Sequence, residues 1–175
     1  KRQRGFEIAK GFEDKNINLP KRSTKNSAGN DFEVAEDTIV KSLPKAFIKA
    51  LFNNCSDVDL IKKALKPVLV PTGIKSYMED DEVLYLYNRS SNPLKRLLFL
   101  ANGVGVIDSD YYENQDNDGH IMFQFINLLP FDIVLNKGEK IGQGVFAKFL
   151  KADNDTSDGE RVSGFGSISI YQILK

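Results

Sequence analysis

The residues best placed to do chemistry lie in one run, Asn102-Gly-Val-Gly-Val-Ile-Asp-Ser-Asp-Tyr111. It is apolar and glycine-rich, then ends abruptly in two aspartates and a tyrosine. Residues 104–107 read as a short buried strand, so Asp108 falls where that strand meets a turn. An ionised carboxylate at the edge of an apolar element is costly unless something pairs with it or uses it. Alone, Asp108 would be an ordinary turn aspartate. It is not alone, because four further polar or glycine-rich runs punctuate the chain.

The first is Ser27-Ala-Gly-Asn-Asp31. Its small residues let backbone approach a ligand, and Asp31 could hold a water of a hydrated cation. Turn chemistry would also explain it. Asn88-Arg-Ser-Ser-Asn-Pro93 follows a strand-like run; one Arg, two hydroxyls and free backbone N–H groups suit a phosphate. Its plain alternative is a surface turn. Gly138-Glu-Lys-Ile-Gly-Gln-Gly144 carries Gln143, which can donate and accept, and so could fix a phosphate oxygen and a water together. Arg161-Val-Ser-Gly-Phe-Gly-Ser167 sets a glycine-flanked Phe beside an Arg and a Ser, as a lid would.

The elements that must position these runs read mainly as strands. Val68–Val70, Glu82–Tyr87, Leu97–Leu100, His120–Ile126, Ile133–Leu135 and Val145–Phe149 are short, rich in β-branched or aromatic residues, and separated by Gly, Pro, Asn and Asp. Lys137-Gly-Glu139 reads as a hairpin-type turn. Many short strands predict an all-β sandwich, jelly roll or barrel. The stretch from Pro44 to Pro67 breaks the pattern and predicts a helical insertion at about 44–66. In it Ser56 and Asp59 resemble a capping box, and Leu60, Ile61, Ala64 and Leu65 form one apolar face. Residues 1–152 then form one domain, and 153–175 a mobile linker and C-terminal arm.

The 175 residues carry 24 basic and 24 acidic side chains, so no overall basic face exists for gripping nucleic acid. Charge is nevertheless uneven: residues 1–29 hold eight Lys or Arg against three acids, and 108–118 hold five acids and no base. The one cysteine, Cys55, permits no intrachain disulfide, and the one histidine, His120, has no His or Cys companion for a metal. No apolar run approaches the roughly 18 residues of a membrane span. A cytoplasmic protein without nucleic-acid or membrane partners is expected.

In this order and spacing the five runs resemble the five motifs of the trimeric dUTPase family, over roughly residues 18–169 apart from the insertion. NGVGVIDSDY and the terminal GFGS are its most specific strings. The resemblance implies a dUTPase-like β jelly roll (β-clip) forming a homotrimer, with active sites built from several subunits and the C-terminal arm exchanged. It implies magnesium-assisted hydrolysis of dUTP to dUMP and pyrophosphate, which keeps uracil out of DNA and supplies dUMP for dTMP synthesis.

By motif matching, Asp108 is the water-activating carboxylate, and Gln143 helps hold the phosphates and the attacking water. Tyr111 lies under the deoxyribose and excludes a ribose hydroxyl. Asn102 reads the uracil edge with backbone of the stretch that includes Gly105, Val106 and Ile107. Arg89, Ser90 and Ser91 contact phosphate. Phe165, with Gly166 beside it, closes over uracil, while Arg161 and Ser167 meet the γ-phosphate. Asp31 reaches Mg2+ through water.

The chain departs from the family pattern in places. Asn30 stands where an aromatic is usual, Arg161 is four positions from Phe165 where five is commoner, and the acidic loop from Tyr112 to Gly119 is longer than the family's tight turn. The related dCTP deaminases would need a glutamate where alignment puts Gln124. The insertion reads as a packing helix over a sheet edge or trimer face. Exposure of its Phe47, Ile48, Leu51 and Phe52 in the trimer would instead mark a site for a protein partner.

Overall fold

Strands form where β-branched and aromatic residues alternate with polar ones, and the alternation decides which faces turn inward. The computed structural model describes residues 2–54, 57–159 and 161. In chain order the elements are β1 (Gly5–Ile8), β2 (Lys21–Arg22), β3 (Asn30–Glu33), β4 (Thr38–Val40), α1 (Leu43–Asn54), α2 (Val58–Leu65), β5 (Val68–Tyr77), β6 (Glu82–Asn88), α3 (Ser91–Arg96), β7 (Leu98–Leu100), β8 (Gly105–Asp108), β9 (Ile121–Asn127), β10 (Ile133–Leu135) and β11 (Lys140–Lys148).

The named strands pair in antiparallel fashion. One sheet has the order β1-β5-β9-β7, another β2-β3-β11-β6-β8, and β10 pairs with β4. In β9 the residues Ile121, Phe123, Phe125 and Asn127 turn inward while those between them do not. Ile121, Phe123 and Phe125 meet Phe32, Leu84 and Ile107 of the five-stranded sheet in one apolar cluster. Asn127 takes an inward position without cost because its amide donates to the carbonyls of Val40 and Phe131 and its oxygen accepts from Leu129 N–H. Gly142 on β11 lies so close to Phe123 that a Cβ there would sit 2.1 Å from the ring.

Several sequence expectations change. β11 begins at Lys140 rather than Val145, and the Lys137–Glu139 turn joins two different sheets, because β10 pairs with β4 and not with β11. β8 is buried on one face only: Gly105 and Ile107 turn into the core, while Val106, on the opposite face, is 57% exposed. The insertion is two helices. The N-cap of α2 is Asp57, whose carboxylate accepts from the N–H groups of Asp59 (3.0 Å) and Leu60 (3.1 Å). Ser56 and Cys55 lie outside the described residues. In the single chain α2 has no buried residue, and Phe47, Ile48, Leu51 and Phe52 on α1 stay exposed.

His120 precedes β9 as a half-buried side chain. Its Nε2 accepts the Gly73 N–H at 3.0 Å, its ring lies against Phe12, and so it must be neutral. Burial pulls its pKa down to about 4, with Glu36 opposing and Lys15 assisting. The folded chain therefore binds this proton less well than the unfolded one, whose histidine titrates near 6.5. The associated stability, about 3 kcal/mol, is complete above pH 6.5 and is lost as pH falls towards 4. Urea unfolding at pH 7 and 4.5 checks this. His120→Gln should flatten the difference, and an equal slope in both proteins would contradict it.

Candidate active site

Two clusters form on the strands that flank β6. The first is built on β8, which pairs with β6 so that Asp108 faces Val83 and Gly105 faces Leu86. The chain enters β8 through a turn in which Gly103, at φ 70°, donates to the Leu100 carbonyl and Val104 donates to that of Asn102. The positive φ is one that glycine adopts readily. A Cβ at Gly105 would sit 2.9 Å from Leu86, so the strand cannot widen on that side.

A cavity of about 210 Å³ opens beside this hairpin. Asn102, Gly105, Val106, Ile107, Asp108, Tyr111 and Arg161 all line it, over a floor that includes Leu86 and Phe123. The fold brings six of these together as the sequence groups them; Arg161, expected on an arm exchanged to a neighbouring chain, stands instead against Asp108 of its own chain. Gln124 is also in the wall. It is a carboxamide, which cannot act as a general base.

Asp108 ends β8 and is half-buried. Burial raises its pKa above the ordinary carboxylate range; Arg161 opposes that rise and Asp110 adds to it. Arg161 ion-pairs with Asp108 and, at 2.7 Å, with Asp110 of the same chain. Tyr111 is 4% exposed, and burial raises its pKa as well. Its hydroxyl donates to the His120 carbonyl at 2.9 Å and accepts from Asn117 Nδ2 at 2.8 Å. Phe165, Gly166 and Ser167 lie outside the described residues.

The second cluster is set by β11, on which Gln143 stands between Asp31 of β3 and Tyr87 of β6. Gln143 Nε2 donates to the Asn88 carbonyl, and Arg89 Nη1 donates to that of Lys140 at 3.1 Å. Asp31 accepts from Lys140 Nζ at 2.8 Å and from Ser23 Oγ. Burial alone would raise its pKa, but those two bonds outweigh it and hold the carboxyl below the usual range. Ser90 caps α3 without a side-chain hydrogen bond, and Ser91 opens that helix.

Sequence reasoning missed two residues here. Asn92, fully buried, donates to Asn88 Oδ1 and to the Ile141 carbonyl, so it ties α3 to β11. Lys140 neutralises Asp31. Lys140 stands in a run already singled out, but its meeting with Asp31 depends on the β3–β11 register, which is irregular between Lys140 and Gly142.

Asp108, opposite Val83, lies most of the length of β6 away from Arg89, which follows Asn88. Five residue steps from Val83 to Asn88 amount to about 16 Å. Among the described residues no group of three or more His, Cys, Asp or Glu side chains could hold a metal. Asp31, already neutralised by Lys140, makes no cation site by itself; a cation there would have to be carried mainly by phosphates. Flat apolar walls beside a carboxylate at one end, and cationic and amide groups at the other, suit a nucleotide.

Comparison with known proteins narrows that class. The family model for dUTPase matches residues 44–167. The deoxyuridine 5'-triphosphate nucleotidohydrolase of Lactococcus lactis is 46% identical over 166 residues, covering 94% of this chain and 96% of its own. The crystal structure of the Streptococcus mutans dUTPase superposes with a TM-score of 0.69 at 44% identity, over 86% of this chain and 99% of that one. The chain belongs to the dUTPase family. The dUTPase of Staphylococcus aureus phage phi11, 14% identical with a TM-score of 0.63 over 90% of this chain and 97% of its own, shares the fold. In a variant of that phage enzyme a structural Mg(II) ion is coordinated.

Proposed function

We propose that this dUTPase hydrolyses dUTP to dUMP and pyrophosphate by attack of a water molecule activated by Asp108. The observation that carries the reading is the position of Asp108: a half-buried carboxyl with a raised pKa, at the rim of a cavity walled by Asn102, Tyr111 and the tight β8 hairpin. A carboxyl so tuned is a better proton acceptor than an exposed one.

Asn102 and the backbone of Gly105, Val106 and Ile107 read the uracil edge. The stiff hairpin leaves no room for the methyl group of thymine. Tyr111 forms the wall under the deoxyribose. Arg89, Ser90 and Ser91 take the phosphates, and Gln143 orients phosphate and water together. Asp31 holds a water of the Mg2+ that the triphosphate carries; that ion offsets charge on the leaving pyrophosphate. Arg161 leaves Asp108 as the arm closes and turns to the γ-phosphate, with Phe165 and Ser167 of the same arm.

A base must lie within hydrogen-bond reach of its water, and about 16 Å of β6 separates Asp108 from the Arg89 end in one chain. We therefore infer a homotrimer in which the Asp108 cluster of one chain faces the Arg89 and Gln143 cluster of its neighbour, in the cytoplasm where the nucleotide pool resides.

Pyrophosphate release is the test, with magnesium and each of dUTP, dCTP, dTTP and UTP. The expected result is turnover of dUTP at least about a hundredfold faster than of the others, lost on chelation of the metal. Equal turnover of dTTP would contradict the assignment of the hairpin.

A further inference from the structure

We propose that Asn117 is a positioning residue that sets how sharply the protein rejects a ribose. The inference rests on the reading of Tyr111 as the wall under the sugar.

The hydroxyl of Tyr111 has one proton to give and accepts from few directions. It gives its proton to the His120 carbonyl and accepts from Asn117 Nδ2. Asn117 is itself held: its Oδ1 accepts from Asn114 Nδ2 at 2.8 Å and from Gly119 N–H at 3.2 Å. Asn114 closes the circuit. Its Nδ2 also donates to the Tyr111 carbonyl at 2.9 Å, and its Oδ1 accepts from Asn117 N–H at 3.1 Å. The loop thus grips Tyr111 at both ends, its main chain through Asn114 and its hydroxyl through Asn117.

The outer side of the loop is fixed by Lys75, which bridges Glu113 and Asp118 at 2.9 Å each. Gly119 lies too close to the Tyr111 carbonyl, 2.8 Å from where a Cβ would be, for any side chain to intervene. Rejecting one extra hydroxyl is a matter of a wall that cannot retreat. An apolar pocket able to relax discriminates weakly against an added hydroxyl. The Arg161 guanidinium lies over the phenol ring, 5.8 Å from its centroid, while two hydrogen bonds hold its hydroxyl, and Asn117 supplies one of them.

The test compares kcat/KM for dUTP and UTP in Asn117→Leu, which is close in size and can neither donate to the Tyr111 hydroxyl nor accept from it. The dUTP-to-UTP ratio should fall about tenfold, chiefly through faster UTP turnover. Asn117→Ala should give the same fall. Glu113→Gln weakens the loop from its outer side, and should lower the melting temperature while leaving the ratio as in wild type. A ratio in Asn117→Leu within about twofold of wild type overturns the proposal. An equal fall in Glu113→Gln also overturns it, by making loop stability the cause. A wild-type protein inert towards dUTP would overturn the underlying reading and this inference with it. Selective wild-type turnover with an unchanged variant ratio would overturn this inference alone.

Discussion

Asp108→Asn is expected to lower kcat for dUTP by about a thousandfold while the fold persists. The asparagine has nearly the shape of the aspartate and stands at the end of β8, where its neighbours Ile107 and Tyr111 are buried by other contacts. What it loses is the ability to take a proton from water. Burial disfavours the charged form of Asp108, and Asp110 disfavours it further, so the net shift is upward despite Arg161. The native carboxylate is therefore held at some expense to stability, a common condition of functional groups. The substitution should not lower the melting temperature.

The same shift fixes the acid limb of the wild-type pH profile. The base form of Asp108 is lost as pH falls through a pKa above the ordinary carboxylate range, so kcat/KM declines at a higher pH than an exposed aspartate would allow. Steady-state kinetics over a range of dUTP concentrations and pH, beside thermal melts, check both statements. Residual activity above about a tenth of wild type would move the base to another residue.

Much of this site was legible in the sequence because its residues come in short contiguous runs. Asn102 to Tyr111 is a hairpin, a turn and a strand end, and local chemistry suffices to read it. The alternation of Ile121, Phe123 and Phe125 likewise gave one core face directly. The one-sided burial of β8 was not legible. Which face of a strand is covered is decided by packing between distant segments, and Val104 and Val106 look buried until their sheet is known.

Lys140 and Asn117 escaped for a related reason. Lys140 meets Asp31 across a register shift that propensity cannot foresee. Asn117 lies in an acidic loop whose composition suggests a solvated surface, yet its amide reaches inward to Tyr111. The insertion shows the opposite failure. The apolar periodicity of 44–66 was read correctly as helix, but periodicity does not say what the apolar face covers. In the single chain α1 leaves Phe52 86% exposed.

The central claim is that each site draws its base and its phosphate-binding groups from different chains. It is tested most directly by joining two inactive proteins. Asp108→Asn lacks the base, and Arg89→Ala lacks the phosphate contact at the far end of β6; each is expected to be nearly inert alone. Co-expressed with different tags and purified through both, they form mixed trimers. In a closed ring of three, either mixture contains one interface at which an intact Asp108 faces an intact Arg89. Activity should therefore return to about a third of wild type. Mixed trimers as inert as their parents would show instead that both clusters act within one chain, and would contradict the account.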